Sequence, residues 1–245
     1  MSKRLIDRNK VDIGLVGQSL ASTNATGKYY DMQNYRRFLA VLVGGALAAA
    51  GTAKLELLQA TDAAGTGAKG IPTTADQTSA TVTANTGVTA ATLTLATVTA
   101  GSVVTINGLT FTAHATVTTK SSRQFSISGN DAADADELAA CINDATYGVP
   151  GVTATSAAGV ITLVATDPGE QLITITDATA TVFTAATTQY IAYVEADVSQ
   201  LDITNGFRYI AAKVTTTATS ICSVLVERGE GRFSPDQQVG AYAVV

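Results

Sequence analysis

"GFRYIAAKVTTTATSICSVLVER" (206–228) decides the fold class. In an extended chain, successive side chains point to opposite sides. Phe207, Tyr209 and Ala211 therefore share one face, and Ile210, Ala212 and Val214 share the other. Strands apolar on both faces belong under cover on both sides. The Thr-rich 215–219 turns the chain, and "SICSVLVER" brings it back. With "QYIAYVEADVSQLD" (189–202), this end of the chain supplies three strands.

Strands of similar quality stand near the beginning. "RRFLAVLV" (36–43) is one, and "AKLELLQATDA" (53–63) is another, with Leu55 and Leu57 on one face and Lys54 and Glu56 on the other. "DIGLVG" (12–17) and "GKYYDM" (27–32) predict shorter strands. "FLAVLVGGALAAAG" (38–51) is the most apolar stretch. It is too short for a membrane span of roughly 20 residues, and its double glycine predicts a turn. Residues 60–87 are Thr, Ala and Gly with few large apolar side chains, which predicts loop and linker.

Between these ends lies a self-contained pattern. In "SVVTINGLTFTAHA" (102–115), Val104 and Ile106 alternate, Asn107-Gly108 turns, and Leu109, Phe111 and Ala113 resume. Asn-Gly between two period-two runs marks a type I′ hairpin, because both central residues need positive φ. "RQFSISG" (123–129) adds a strand. "NDAADADELAACINDA" (130–145) predicts a helix, capped by Asn130 or Asp131, with acids in its first turns and Leu138, Cys141 and Ile142 on one face. "GVTATSAAGVITLVAT" (151–166) reads as a hairpin turning at 156–159, and "QLITIT" (171–176) as a last strand, giving β-β-β-α-β-β-β.

The expected architecture is mainly β. Residues 28–87 and 187–245 form a β-sandwich, 88–186 form an inserted small α+β domain with one helix, and 1–27 form an N-terminal arm. An arm from Val11 to Tyr35 lying across a neighbouring subunit would leave a chain without residues 1–26 folded.

Composition narrows the function. The charged fraction is 14%, the net charge −5 and the pI about 4.8. An acidic chain lacks the basic face that nucleic acid requires. The cluster Lys3, Arg4, Arg8 and Lys10 reads as a solvated tail, or as the arm's contact with an acidic patch. No secretory signal is visible. Cys141 and Cys222, far apart in sequence, read as buried free thiols that fit a reducing compartment.

Chemistry is sparse. His114, the sole histidine, has no acid beside it in sequence and reads as a strand residue. One imidazole and two distant thiols do not make a zinc site. Asp131, Asp134 and Asp136 have the wrong spacing for a calcium loop and sit in helix-forming company. The glycines of "LVGGALAAAG" and "ERGEGRF" match neither a P-loop nor a dinucleotide fingerprint. The tyrosine pairs Tyr29-Tyr30 and Tyr190 with Tyr193 would have to be exposed to form an adhesive platform, and otherwise read as core. No catalytic, metal or cofactor residue emerges, and an enzyme is not expected.

"TGKYYDMQNYRRFLAVLVGGAL", "AKLELLQATDAAGTGAKGI" and "YVEADVSQLDITNGFRYIAAKVTTTAT" resemble the framework of virion structural proteins of tailed bacteriophages. The 88–186 region is similar to a module that recurs in phage head and tail proteins. The resemblance implies a capsid decoration or cement protein. Such a protein would be a homotrimer on the major capsid protein, assembled in the host cytoplasm and carried on the head surface, without nucleic acid, membrane or cofactor. The alternative it implies is a tail component, in the tube, a fibre or the baseplate.

Overall fold

The computed structural model describes residues 9–71, 79–177, 179 and 182–231. In chain order the first strands are β1 (Lys10–Ala21), β2 (Asn24–Thr26), β3 (Tyr30–Asp31), β4 (Arg37–Leu47), β5 (Thr52–Ala60), β6 (Lys69–Gly70) and β7 (Ser79–Thr83). Then come β8 (Ala90–Leu95), β9 (Val103–Ile106), β10 (Leu109–His114), β11 (Gln124–Ser126), the helix α1 (Asp131–Ile142), β12 (Val152–Ala157), β13 (Val160–Ala165) and β14 (Ile175–Asp177). The last are β15 (Phe183–Asp197), β16 (Tyr209–Thr216) and β17 (Thr219–Gly229). The fold is mainly β, with one α-helix among the described residues and sheets that are chiefly antiparallel. The chain divides into two compact units, one from 1–44, 52–81 and 191–245, the other from 45–51 and 82–190. The chain passes from one unit to the other inside β4, β7 and β15 and just before β5.

In the first unit, one sheet runs β1-β17-β4-β15 and a second runs β2-β16-β5-β6, with β3 also on β16 and β7 on β5. β16 and β5 pair antiparallel from Tyr209↔Ala60 to Thr216↔Ala53. Burial alternates along β4, so that Phe38, Ala40 and Leu42 face inward. Leu55 and Leu57 of β5, Val214 of β16 and Val224 of β17 are buried as well. The two sheets touch face to face: the Tyr30 hydroxyl of β3 donates to the Ile13 carbonyl of β1 at 2.7 Å. The Tyr30 and Phe38 ring centroids are 6.5 Å apart. The alternation of 206–228 predicts cover on both sides, and this packing supplies it on one side of β17.

Among the described residues, Arg228 is the buried charged side chain of this interior. Its Nη2 and Nε donate to Asp12 Oδ2 at 2.7 and 3.1 Å, and its Nη1 donates to the Asp31 carbonyl at 3.2 Å. The guanidinium also lies over the rings of Tyr30 and Tyr35, 4.9 and 4.5 Å from their centroids. A buried cation is tolerable only when partnered in this way.

Three expectations change. Residues 10–21, expected within an N-terminal arm, are β1, which pairs antiparallel with β17 of the same chain from Lys10↔Arg228 to Ala21↔Thr219. Leu15 and Leu20 are buried, so deleting residues 1–26 removes core rather than an arm. Residues 1–8, with Lys3, Arg4 and Arg8, lie outside the described residues. Next, β4 runs straight through Gly44-Gly45, and the turn comes at 48–51, where the Gly51 N–H donates to the Ala48 carbonyl at 3.0 Å. Sheet pairing supplies what local glycine preference lacks. Last, the stretch expected as loop from 60 to 87 carries β6 and β7, with 72–78 outside the described residues.

The second unit holds the predicted hairpin. Asn107 and Gly108 have φ of 48° and 77°, and Phe111 of β10 pairs with Val104 of β9. One sheet runs β11-β10-β9-β14, with β11 parallel to β10, and another runs β15-β8-β13-β12. The Asn130 side chain caps α1 by accepting from the Ala133 N–H at 3.0 Å. Leu138, Cys141 and Ile142 turn inward, and the helix packs on β11 and β12. Phe111, Phe125, Phe183, Leu93 and Ile106 fill the interior.

Candidate functional site

The chemistry-bearing side chains go separate ways. His114, at the end of β10, uses Nδ1 to accept the N–H groups of Thr116 and Val117 at 3.4 and 3.2 Å. It holds a turn. Asp131 Oδ1 accepts from the Thr97 N–H at 3.2 Å, and Asp136 Oδ1 accepts from the Ser156 hydroxyl at 2.5 Å. Among the described residues, no group of three or more His, Cys, Asp and Glu is placed to hold a metal ion. Cys141 and Cys222 are both buried and form no disulfide, and burial pushes both thiols up, away from the reactive thiolate.

Asp134 alone faces inward, 4% exposed, and its Oδ1 has no hydrogen-bond partner. Burial raises its carboxyl, opposed by the Gly129 N–H and aided by nearby Asp131. A carboxyl raised on folding stabilises fully below its unfolded value, and that contribution is lost as pH rises through the folded value. Asp134→Asn should therefore match the wild type near pH ~3 and be more stable than it at neutral pH. Thermal unfolding at the two pH values checks this. Equal stabilities at neutral pH would show that the buried carboxylate carries no penalty.

The tyrosines split. Tyr30 and Tyr190 are buried, whereas Tyr193 is 70% exposed. No aromatic platform forms from them. Tyr193 instead belongs to a different feature, the outer face of the first unit's β1-β17-β4-β15 sheet.

Much of that face is apolar, with Ser19 and Ser223 interspersed. Ile13 and Ile221 are each 57% exposed, Leu225 48%, and Val43 and Ile191 each 37%. Ile13 and Leu225 are register partners across β1 and β17. Their strand neighbours Val224, Val226 and Leu42 point into the sandwich, so these residues point out of it. At one end the face turns charged. A depression of about 220 Å³ there is lined by Arg37, Leu39, Glu195, Glu227 and Glu230, which puts the outward residues of β4, β15 and β17 on one surface. Arg37 binds Glu195 at 2.9 Å and Glu230 at 3.1 Å, so the margin's cation is already partnered.

A second concavity of about 450 Å³ is lined by Met32, Tyr35, Val198, Ile203, Arg36 and Arg208 among others. Its arginines are engaged at home, Arg36 with Asp197 and Arg208 with Asp31.

Sequence reasoning missed the apolar face. The signal lay in "SICSVLVER", where Ile221 and Leu225 interleave with Cys222, Val224 and Val226. Apolar residues of both parities predict cover on both sides, and the sandwich covers only one. Compared with protein-family models, with curated proteins and with solved structures, the chain gives no match.

Proposed function

We propose that this chain is a structural protein that works by contact, and specifically a virion decoration protein that seats on the outer surface of a tailed-phage head. The observation that carries the first part is the exposed apolar sheet face. An exposed apolar patch of several hundred Å² on a folded protein is often functional and marks a candidate site of association. The dispersal of the histidine, thiols and carboxylates points the same way. The virion assignment rests on the sequence resemblance described above.

A protein that binds only the assembled shell stabilises it by mass action. Several copies acting together multiply weak contacts. The test is to mix the purified chain with empty heads, sediment them and heat them. The expected result is saturable co-sedimentation and a higher temperature of head disruption. Heads that sediment without the chain would reject the decoration role, and recovery of the chain in purified tails would favour a tail component instead.

A further inference from the structure

We propose that the outer face of the β1-β17-β4-β15 sheet is the docking surface for a second copy of this chain, packed face to face through Ile13, Tyr193, Ile221 and Leu225. This rests on the reading that the protein works by contact, and it names the occupant of that contact.

Area is the first argument. Ile13, Val43, Ile191, Tyr193, Ile221 and Leu225 are between 37% and 70% exposed. At roughly 150–250 Å² for an aromatic side chain and toward the lower end for the five aliphatic ones, they present at most on the order of 500 Å² per copy. Two copies would bury up to about 1,000 Å², the size at which a specific interface begins.

Geometry is the second. β17 and β4 lie inside the sheet, so their backbone groups are spent on neighbouring strands. A partner for such a face need offer only apolar surface about 10 Å away, as one sheet offers another. The same patch on a second copy, related by a two-fold axis, is self-complementary in this sense.

Charge is the third. Glu195, Glu227 and Glu230 stand at the margin with Arg37, which already binds two of them. Anionic lipid and nucleic acid would meet carboxylates there. A basic partner would find charge only at the margin, where Tyr193 shares a concavity with Arg37, Glu195 and Asp197. An uncharged apolar face is what the surface fits, and the chain carries one itself.

The experiment is sedimentation equilibrium of the full chain without particles, over about 1–100 µM. The wild type should form a reversible dimer. The double variant Ile221→Lys, Leu225→Lys should be monomeric throughout, with unchanged far-ultraviolet circular dichroism. Tyr193→Ser, a milder change on another strand, should weaken the dimer at least about tenfold. A wild type that stays monomeric overturns the inference, as does any oligomer, trimer included, that both variants form as tightly. Co-sedimentation with empty heads separates the two proposals. A monomeric wild type that binds heads while the lysine variant does not would give this face to the shell, overturning the inference and sparing the decoration role. A dimer that ignores heads would do the reverse.

Discussion

Asp12→Ala should lower the unfolding free energy of the first unit by about 3 kcal/mol, because it strands a buried guanidinium. The side chains of Arg228 and Asp12 are only 10% and 15% exposed. Desolvating such a pair costs nearly as much as its attraction returns, so the intact pair adds little net stability. Removing the carboxylate alone leaves the cost without the return. Arg228 would keep the Asp31 carbonyl and the faces of Tyr30 and Tyr35, which partly offset the loss. Adding Arg228→Met to Asp12→Ala should recover part of the stability, since an apolar chain suits the same slot. Urea denaturation of the single and double variants measures both. A loss below about 0.5 kcal/mol for Asp12→Ala would place the pair among exposed ones.

Phe125→Ala should cost the second unit about 3–5 kcal/mol, the range for deleting a buried aromatic ring. Phe125 is fully buried on β11, beneath the helix, and its ring meets that of Phe183 edge-on at 6.4 Å between centroids. The variant forfeits the transfer of the ring from water, that edge contact, and the packing of α1 on β11. Phe125→Leu fills most of the volume and should cost less than half as much. Thermal unfolding followed by near-ultraviolet circular dichroism checks the pair. A Phe125→Ala protein within about 1 kcal/mol of wild type would mean that the site collapses around the gap.

What could be read from the sequence was what local rules decide. Asn107-Gly108 fixes its hairpin through two positive φ angles, and Asn130 caps α1 through one side-chain bond. Both depend on residues within a few positions. β4 passing through Gly44-Gly45 depends instead on partners from the far end of the chain, so the glycines mislead. β1 runs past the short strand expected at 12–17 for the same reason, since Gln18 and Ser19 look like loop until β17 is beside them. β8 was missed because "AATLTL" alternates with alanines too small to stand out, although Leu93 and Leu95 are buried. The apolar face escaped on different grounds. Periodicity tells which residues share a side, not whether the rest of the chain covers that side.

The register of β1 on β17 sets Lys10 opposite Arg228, and Asn9 accepts the Glu230 N–H at 3.4 Å. The described chain therefore leaves the fold within a few ångströms of where it entered. A passenger joined directly at Asn9 or Gly231 would depart from the same spot at the edge of the first unit. Splicing the two ends and reopening the backbone at the tight Ala158-Gly159 bend would keep all these ladders while moving the exit to the second unit. Where a cargo is carried thus becomes a matter of where the ring is cut, independent of how the sheets are built.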